Sequence, residues 1–502
     1  MYGIHHMQKI WFTLSVLLGA AITLIFLPSL ALAIVLINAL FAFLLAILQL
    51  KSAITPNNPK HISSMKGYEP FVSIHIPCHN EPYEVIYKTL KSISDLSYGN
   101  YEVLIIDNNT HDPLLWQPIK KYCETLGDKF HFYHYESLAG YKAGALNAAL
   151  EHTDERAEVI AVIDADYIVN EDFLQIGVPY FQDEKVAIVQ YPQDYYNITK
   201  GTFGIQQEYR SFFDTILTQA NNWDAVTATG TLCLLRAKLF SKKSIQWNEW
   251  CITEDAELSI HLHGLGYKGI FINEVVGTGL MPFNYYSLQR QRERWVYGNT
   301  QIIKKDTLSI LLNPKLNLKQ KISFMTQLTA WIHPNLLPIL YISISIFLGS
   351  VGMFSQTLVT VSWIGLITIL AFIVAKILYF AIDQWKKGNA SIEGVLTTTM
   401  SHFGLTNTMS FIWLWALTSA QLPFNRTTKD PREKTLPYIP LDIIAVFFYL
   451  ALSSVAIFTA HQEITVIAIT SAALGLWMLV SILFLSWEMN KARQAANTVL
   501  LD

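Results

Sequence analysis

The chain has 502 residues, which is too long for one ordinary core, so we expect at least two structural regions. Hydrophobic residues make up 52% of the chain and charged residues only 15%, against about a quarter in a typical soluble protein. The net charge of -3 gives no electrostatic case for a nucleic-acid partner. The cysteines show no metal-binding spacing, so we expect a reduced, cytosolic middle region.

The N-terminal residues 10–50 are almost free of charge. They divide at Pro28 and Ser29 into two runs of about 20 residues, each long enough to cross a membrane. A cleaved signal peptide that ends near Ala33 is the alternative, because small residues precede that position. Apolar sequence continues to Leu50, which favours a helical hairpin.

Four further segments, residues 326–353, 357–382, 440–461 and 464–486, have the same apolar character. Pro334 and Pro338 are expected to bend the first of them. Basic residues in the connections and the tail predict that these parts are cytosolic, which gives six spans with both termini inside. Those basic residues are Lys386, Lys387, Arg426, Lys429, Arg432, Lys434, Lys491 and Arg493.

Residues 391–421 are also apolar, but basic segments flank them on both sides. One crossing would place one of those segments outside, so we interpret the stretch as an interfacial or re-entrant helix on the cytosolic face. A seventh span is the alternative.

The middle of the chain, residues 66–280, alternates short apolar strands with helical stretches. The predicted strands are 71–76, 101–106, 130–135 and 158–163, and helices are expected after Pro82 and over residues 140–150. This alternation predicts an α/β domain with a mostly parallel sheet. Ligands of such sheets gather at the carboxyl ends of the strands, where Asp107, Asp164 and Asp166 lie.

Asp164 and Asp166 form an Asp-x-Asp pair directly after a buried strand. Two carboxylates this close repel each other unless a cation lies beside them. A Mg²⁺ or Mn²⁺ ion there would also hold substrate phosphates. The alternative is a turn or a helix cap.

Thr253, Glu254 and Asp255 form a second acidic site, which also has the pattern of a helix start with Thr253 as N-cap. Lys142 follows a glycine at another predicted helix start, where a lysine and backbone N–H groups bind an anion. A solvated lysine is the alternative reading of that position.

Gln291 and Arg294 are predicted to share one face of a helix, and Trp295 follows directly. Arginine pairs with phosphate oxygens, and tryptophan offers a flat surface to a sugar ring. A basic amphipathic helix lying at the bilayer explains the same residues without any chemistry.

Taken in this order, the motifs resemble the membrane-integrated, cellulose-synthase-like glycosyltransferases of family 2, over nearly the whole chain. The resemblance implies a GT-A-like cytosolic domain between about six spans, a UDP-sugar donor and a divalent cation, Mg²⁺ or Mn²⁺. By this resemblance the nucleotide is bound by Pro77, Asn80, Glu81, Asp107, Lys142 and Asp164, and the metal by Asp166 with Asp164. Asp255, with Glu254, resembles the general base, and Gly230, Gln291, Arg294 and Trp295 resemble the acceptor and diphosphate contacts.

A gating segment of this family is similar to the residues around Phe424, Thr427 and Lys429, although Arg426 replaces the family's valine. Asn108 stands where many relatives have a second aspartate. Only a short tail follows the last predicted span, so we expect no cyclic-dinucleotide-sensing domain of the kind that bacterial cellulose synthases have there. Accessory export or regulatory subunits are unknown.

The sequence therefore predicts a processive, inverting glycosyltransferase of the bacterial inner (plasma) membrane that makes a β-linked glucan from UDP-glucose. The growing polysaccharide is the acceptor, and the lipid bilayer surrounds the spans. The expected domains are a hairpin (1–52), a catalytic domain (53–282), an interfacial region (283–322), two spans (323–384), an interfacial helix with the gating-like loop (385–438), and a final pair of spans (439–502).

Three alternatives remain open. The first is a chitin- or hyaluronan-like synthase that uses UDP-N-acetylglucosamine, and the second is a non-processive enzyme that forms a glycolipid. The third, from a different class, is a transporter with a cytosolic regulatory domain. We expect the candidate spans to lack the ionisable residues that ion pathways require, which disfavours the third.

Overall fold

The computed structural model describes residues 2–58, 67–240, 244–419, 441–459 and 461–501. Its strands are β1 (Phe71–Cys78), β2 (Tyr101–Asn108), β3 (Phe130–Tyr135), β4 (Ala157–Val162), β5 (Ile168–Val169), β6 (Val186–Gln190), β7 (Cys233–Arg236), β8 (Lys268–Phe271) and β9 (Gly277–Thr278). Its first eleven helices are α1 (Tyr2–Phe26), α2 (Pro28–Ile54), α3 (Tyr83–Ser94), α4 (Pro113–Thr125), α5 (Tyr141–His152), α6 (Phe173–Gly177), α7 (Phe203–Ser211), α8 (Thr218–Asn222), α9 (Glu254–Leu265), α10 (Tyr285–Leu312) and α11 (Leu318–Leu328). The rest are α12 (Leu336–Ser350), α13 (Gln356–Lys386), α14 (Ile392–Phe403), α15 (Thr406–Thr418), α16 (Leu441–Thr459) and α17 (Gln462–Leu501).

Within the described residues, seven strands form one sheet in the order β3-β2-β1-β4-β7-β6-β8. The first four strands are parallel to one another, β6 and β8 are also parallel, and β7 runs antiparallel to both of its neighbours. The predicted mostly parallel α/β sheet is therefore confirmed. The two-residue strands β5 and β9 pair separately beside it.

Helices cover both faces of this sheet, which is why its central strands are almost continuously apolar. In β2, Val103 and Ile105 face a cluster that includes α3 and α4, whereas Leu104 and Ile106 face α5. All eight residues of β2 are buried. Such burial on both faces fixes the strand register, and with it the position of the loops that follow the strand ends.

Four helices of the described chain are long and apolar enough to cross a membrane: Gln8–Phe26, Pro28–Ile54, Gln356–Lys386 and Gln462–Thr498. Two shorter apolar helices, Leu336–Ser350 and Ile443–Phe458, lie where the remaining two spans were predicted. Large apolar side chains on the outer helix surfaces are exposed, as lipid-facing residues would be; Ile37 is 68% exposed and Ile367 61%. The helices thus form a membrane-associated region beside the sheet domain.

The predicted bend near Pro334 and Pro338 is instead a break. α11 ends at Leu328, and α12 does not begin until Leu336, so the segment 326–353 is not one continuous helix. Pro338 then lies in the first turn of α12, where the missing N–H of proline has no helical partner to lose.

Residues 391–421 do not form one long helix in the part that the structure describes. They fold as the short helices α14 and α15, which Gly404 and Leu405 separate. α14 packs against α7 of the sheet domain, and α15 packs against α10. Neither helix has the length of a span, which leaves the interfacial interpretation as our prediction.

The expectation that the candidate spans lack ionisable residues is wrong. Lys376 lies inside α13 and is only 4% exposed. Its ammonium lies 5.7 Å from the ring centroid of Phe372 and 5.5 Å from that of Tyr379. The nearby opposite charge is Glu208 of α7, so this lysine is directed towards the sheet domain.

Candidate active site

The carboxyl ends of β1, β2 and β4 open into a cavity of about 370 Å³, a size typical of ligand pockets. It is closed by the start of α9 and by one face of α10. Of the residues predicted to form the site, eleven line this cavity: Pro77, Glu81, Lys142, Asp164, Asp166, Gly230, Glu254, Asp255, Gln291, Arg294 and Trp295. Residues from stretches more than 200 positions apart therefore surround one space.

Lys142 and Asp164 form the polar centre of the cavity. The ammonium of Lys142 donates to Asp164 Oδ1 at 2.5 Å and to the backbone carbonyl of Gly230 at 2.7 Å. Burial opposes the ammonium charge, but Asp164, Glu254 and Asp255 together raise the pKa of Lys142 above its ordinary value. This lysine is a paired cation inside the site, not a solvated surface residue.

Asp166 lies two residues further on and is 8% exposed. Its Oδ2 accepts a hydrogen bond from the backbone N–H of Leu280 at 3.4 Å. Among the described residues, no group of three or more histidine, cysteine, aspartate or glutamate side chains gathers as a complete metal cage. Mg²⁺ typically takes one or two protein carboxylates and completes its shell with water and substrate phosphates, so an all-oxygen pair such as Asp164 and Asp166 fits a divalent cation shared with a diphosphate.

The acidic pair Glu254 and Asp255 occupies the first turn of α9. Thr253 is the N-cap residue, as predicted, but its side chain accepts no capping hydrogen bond. Burial and the neighbouring Asp255 raise the pKa of Glu254; burial also raises the pKa of Asp255, and Lys142 opposes that rise. A carboxylate with a raised pKa is a better proton acceptor, which is the property a general base requires.

The close approach of α10 to this acidic turn depends on Gly298. A Cβ atom at that position would lie 2.7 Å from the side chain of Thr253, closer than real contacts allow. α10 begins at the N-cap Asn284, whose side chain accepts from the N–H of Ser287 at 2.8 Å. The resulting helix phase turns Gln291, Arg294 and Trp295 towards the cavity.

Arg294 is the cation on this helix face. Burial lowers the pKa of its guanidinium to about 10, while Asp164 and Glu293 oppose that effect, so the group stays protonated near neutral pH. Together with Lys142, it places two positive charges in the cavity that Asp164 and Asp166 also line. Such an arrangement is suited to a ligand that carries a diphosphate and a cation.

Two predicted nucleotide contacts do not line the cavity. Asp107 is 1% exposed, and its carboxylate accepts from Thr110 Oγ1 and from His134 Nδ1, each at 2.7 Å. Asn80 adopts a left-handed backbone with φ of 49° and donates its N–H to Thr110. The Asp107 side chain and the Asn80 backbone thus both contact Thr110, and direct contact of either residue with a nucleotide stays a prediction.

Several lining residues were given no role from the sequence: His79, Asn109, Tyr141, Gln193, Tyr195 and Tyr209. Gln193 is central among them, since its amide donates to the carbonyl of Thr229 at 2.5 Å and its oxygen accepts from the hydroxyl of Tyr209. Gln193 lies three residues after the end of β6, and a polar residue just past a strand end is the pattern that could have identified it. The gating-like residues Phe424, Thr427 and Lys429 lie outside the described residues.

A smaller cavity of about 80 Å³ adjoins the first, and the two share Gln193, Tyr209, Thr229, Thr253, Asp255 and Trp295. Its other walls include Phe212, Phe213, Asn299, Gln327, Leu328 and Trp331. Asp255 therefore lies between a polar, cation-lined space on one side and an aromatic-lined space on the other.

This fold and this site define a GT-A glycosyltransferase. Residues 73–242 match the family described as Glycosyl transferase family 2, and residues 159–382 match Glycosyl transferase family group 2. The two family models together match residues 73–382, and relatives named as a cellulose synthase and a glucomannan mannosyltransferase support a family 2 glycosyltransferase of the cellulose synthase type.

The chain is 25% identical to the cellulose synthase catalytic subunit [UDP-forming] of Xanthomonas axonopodis pv. citri, over 63% of this chain and 43% of that protein. It is 26% identical to glucomannan 4-beta-mannosyltransferase 7 of Arabidopsis thaliana, over 50% and 47%. It is 33% identical to the beta-monoglucosyldiacylglycerol synthase of Trichormus variabilis, over 48% and 52%. The chain thus spans about half the length of these curated relatives.

Among solved structures, the chain resembles a mannosyltransferase from Pyrobaculum calidifontis in complex with GDP-Man and Mn²⁺. The TM-score is 0.51 at 18% identity, and the match covers 74% of this chain and 98% of that one. At this identity the likeness shows the fold alone.

Proposed function

We propose that the protein is a processive, inverting glycosyltransferase that builds a β-linked glucan from UDP-glucose and passes it across the membrane. The observation that carries this proposal is the position of Asp255 between the cation-lined cavity and the aromatic-lined one. A donor diphosphate fits the first space, and a sugar acceptor stacked on Trp295 fits the second.

In the proposed reaction, Lys142 and Arg294 bind the diphosphate of the donor, and Asp166 with Asp164 would hold the divalent cation. That cation, when bound, neutralises charge on the leaving diphosphate. Asp255 accepts the proton of the acceptor hydroxyl while the hydroxyl oxygen bonds to the anomeric carbon. The bond from that carbon to the phosphate oxygen breaks, and the electron pair leaves with UDP. One in-line displacement inverts the anomeric centre, which turns an α-linked donor into a β-linked product.

The apolar helices would provide the path for the product through the bacterial inner (plasma) membrane, with the sheet domain in the cytosol. The domain division at residues 52, 282, 322, 384 and 438 is part of this proposal. The short helices α12 and α16 then complete six crossings. The bilayer and a growing polysaccharide are the proposed partners.

Isolated membranes that contain the full chain, supplied with radiolabelled UDP-glucose and Mg²⁺ or Mn²⁺, test the function. We expect label in a high-molecular-weight product on gel filtration, sensitive to a linkage-specific β-glucanase. Parallel reactions with UDP-N-acetylglucosamine test a chitin- or hyaluronan-like activity. GDP-mannose is the third donor to be tested, because proteins named as mannosyltransferases are among the matches. Polymer from either alternative donor alone would overturn the choice of UDP-glucose.

A glycolipid-forming activity is the second candidate function. It is favoured by the 33% identity to a beta-monoglucosyldiacylglycerol synthase, which is higher than the identity to the cellulose synthase subunit. Extraction of the same reactions with organic solvent separates the two. Label recovered only as a small lipid-soluble product would contradict the processive proposal.

A further inference from the structure

A buried ion pair lies behind the wall that carries Trp295. Arg292 is on α10 between Gln291 and Arg294, yet it lines neither cavity. Its side chain is 1% exposed, and its Nη2 donates to Glu208 Oε2 at 2.6 Å. Glu208 is 2% exposed, so both charges are removed from water. A pair placed this deeply fixes geometry, because neither partner can move without leaving the other charge uncompensated.

The rest of the Arg292 guanidinium faces aromatic rings. Its central carbon lies 4.1 Å from the ring centroid of Trp331, 4.5 Å from that of Trp295 and 5.5 Å from that of Tyr209. Its Nε and Nη1 atoms have no hydrogen-bond partner in the described part of the chain. A planar guanidinium stacks on rings in this way, whereas the compact ammonium of a lysine cannot cover them.

The three rings form one continuous surface beside Asp255. Tyr209 stacks on Trp295 at 5.7 Å between centroids, and Trp295 meets Trp331 at 5.4 Å. Trp295, Trp331 and Asp255 line the smaller cavity together. The position of the Arg292 guanidinium therefore determines where this aromatic surface stands relative to the proposed base.

The other oxygen of Glu208 connects the pair to helices outside the sheet domain. Glu208 Oε1 pairs with His402 Nδ1 at 2.9 Å, and His402 Nε2 lies 2.9 Å from His333 Nε2. His402 belongs to α14, and His333 lies in the segment before α12. A chain of polar contacts therefore runs from the aromatic rings through Arg292 and Glu208 to His402 of α14 and to His333.

We propose that Arg292 is a positioning residue, which holds Trp295 and Trp331 beside Asp255 and so sets how firmly the acceptor end of the glycan is retained between additions. The inference rests on the proposed function. It adds that retention of the acceptor and binding of the donor depend on different residues. Arg292 touches neither the donor cavity nor the reacting atoms.

The test uses the full chain with Arg292→Lys, which keeps the charge and removes the planar stacking. The matched control is Arg290→Lys, a half-buried arginine of the same helix that pairs with Glu293 at 2.9 Å. A second variant, Arg292→Met combined with Glu208→Gln, removes both members of the pair together, so that neither of them is left as an unpaired charge if the single change fails to fold. Lys376, the other buried cation near Glu208, loses its nearby carboxylate in this variant, so thermal unfolding is measured alongside the product.

We measure the KM for UDP-glucose, the rate of UDP release and the length of the product. Arg292→Lys is expected to shorten the product about tenfold, as the loss of one desolvated cation–π contact would. The KM for UDP-glucose should stay within about twofold of the value for the unchanged protein, because Arg292 does not line the cavity proposed to bind the donor. The double variant should show the same split, and Arg290→Lys should show neither effect.

Unchanged product length in Arg292→Lys and in the double variant, with wild-type polymer present, overturns the positioning role alone. A rise in donor KM that parallels the loss of polymer does the same, since it indicates a general structural defect. Wild-type protein that makes no polymer from any donor overturns both the proposed function and this inference.

Discussion

Replacing Asp255 with asparagine separates the proposed general base from every other feature of the site. Asparagine keeps the size of the side chain and one acceptor oxygen, but it cannot take a proton at the pH of the reaction. Asp255 Oδ2 lies 3.3 Å from the position that a Cβ on Gly230 would occupy, and Lys142 Nζ lies at the same distance. Asp255→Asn replaces one carboxylate oxygen by an NH₂ group on a side chain that lines both cavities.

A positioned general base contributes about 10²–10⁴-fold to a rate, which corresponds to about 3–5 kcal/mol of transition-state free energy. We expect Asp255→Asn to lower the transfer rate by this amount, with little change in the KM for the donor. The free energy of unfolding, in contrast, should not fall. Burial raises the pKa of Asp255 in the folded protein, so its ionised form costs folding free energy at any pH above that pKa. Removing the carboxylate should leave the melting temperature at pH 8 unchanged or raise it.

The assay compares UDP release, polymer formation and thermal unfolding for the unchanged protein, Asp255→Asn and Glu257→Gln. Glu257 is a matched control, because it is a buried acid on the same helix whose pKa burial also raises, and it does not line either cavity. Glu257→Gln should retain transfer. Polymer formation by Asp255→Asn at a near-normal rate would refute the assignment of the base. A lower melting temperature in that variant would refute the electrostatic argument.

Three further outcomes follow from the same geometry. Asp166→Ala should abolish the dependence of UDP binding on Mn²⁺ in calorimetric titrations; a dependence that survives would mean that the cation lies elsewhere. Gly230→Ala adds a methyl group 3.3 Å from both Asp255 and Lys142 at a φ of +86°, whereas Gly127→Ala meets the same unfavourable backbone at +92° with open space around it. Both should lose about 1–2 kcal/mol of unfolding free energy, but only Gly230→Ala should lose transfer; equal activity loss in both would refute the argument. The transfer rate should rise with pH along a limb that lies above the ordinary aspartate pKa of about 3.9, since burial raises the pKa of Asp255, and Asp255→Asn should lack this limb.

Local sequence patterns were sufficient for the parts of the fold whose residues interact with near neighbours along the chain. The alternation of apolar strands with helices predicted β1 to β4 and the helices that follow β1 and β3. Long apolar runs predicted the membrane-associated helices, since hydropathy over about 20 residues is a property of the chain alone. The order of the motifs also predicted the family, because each motif needs only a few adjacent residues.

Other features were decided by contacts between distant segments. Arg292 and Arg294 are two residues apart on one helix, and only the packing of α10 turns Arg294 to the cavity and Arg292 to Glu208. The sequence placed Asp107 just after its strand, but β2 continues to Asn108, and Thr110 and His134 bind the Asp107 carboxylate away from the cavity.

The sequence by itself therefore determined which residue types are present and which elements carry them. The tertiary structure decided which side chains share a space, such as Lys142 with the carbonyl of Gly230, 88 residues away. The physical reason is that local propensity and hydropathy act over one element, whereas the direction of a side chain depends on the phase in which that element packs against others.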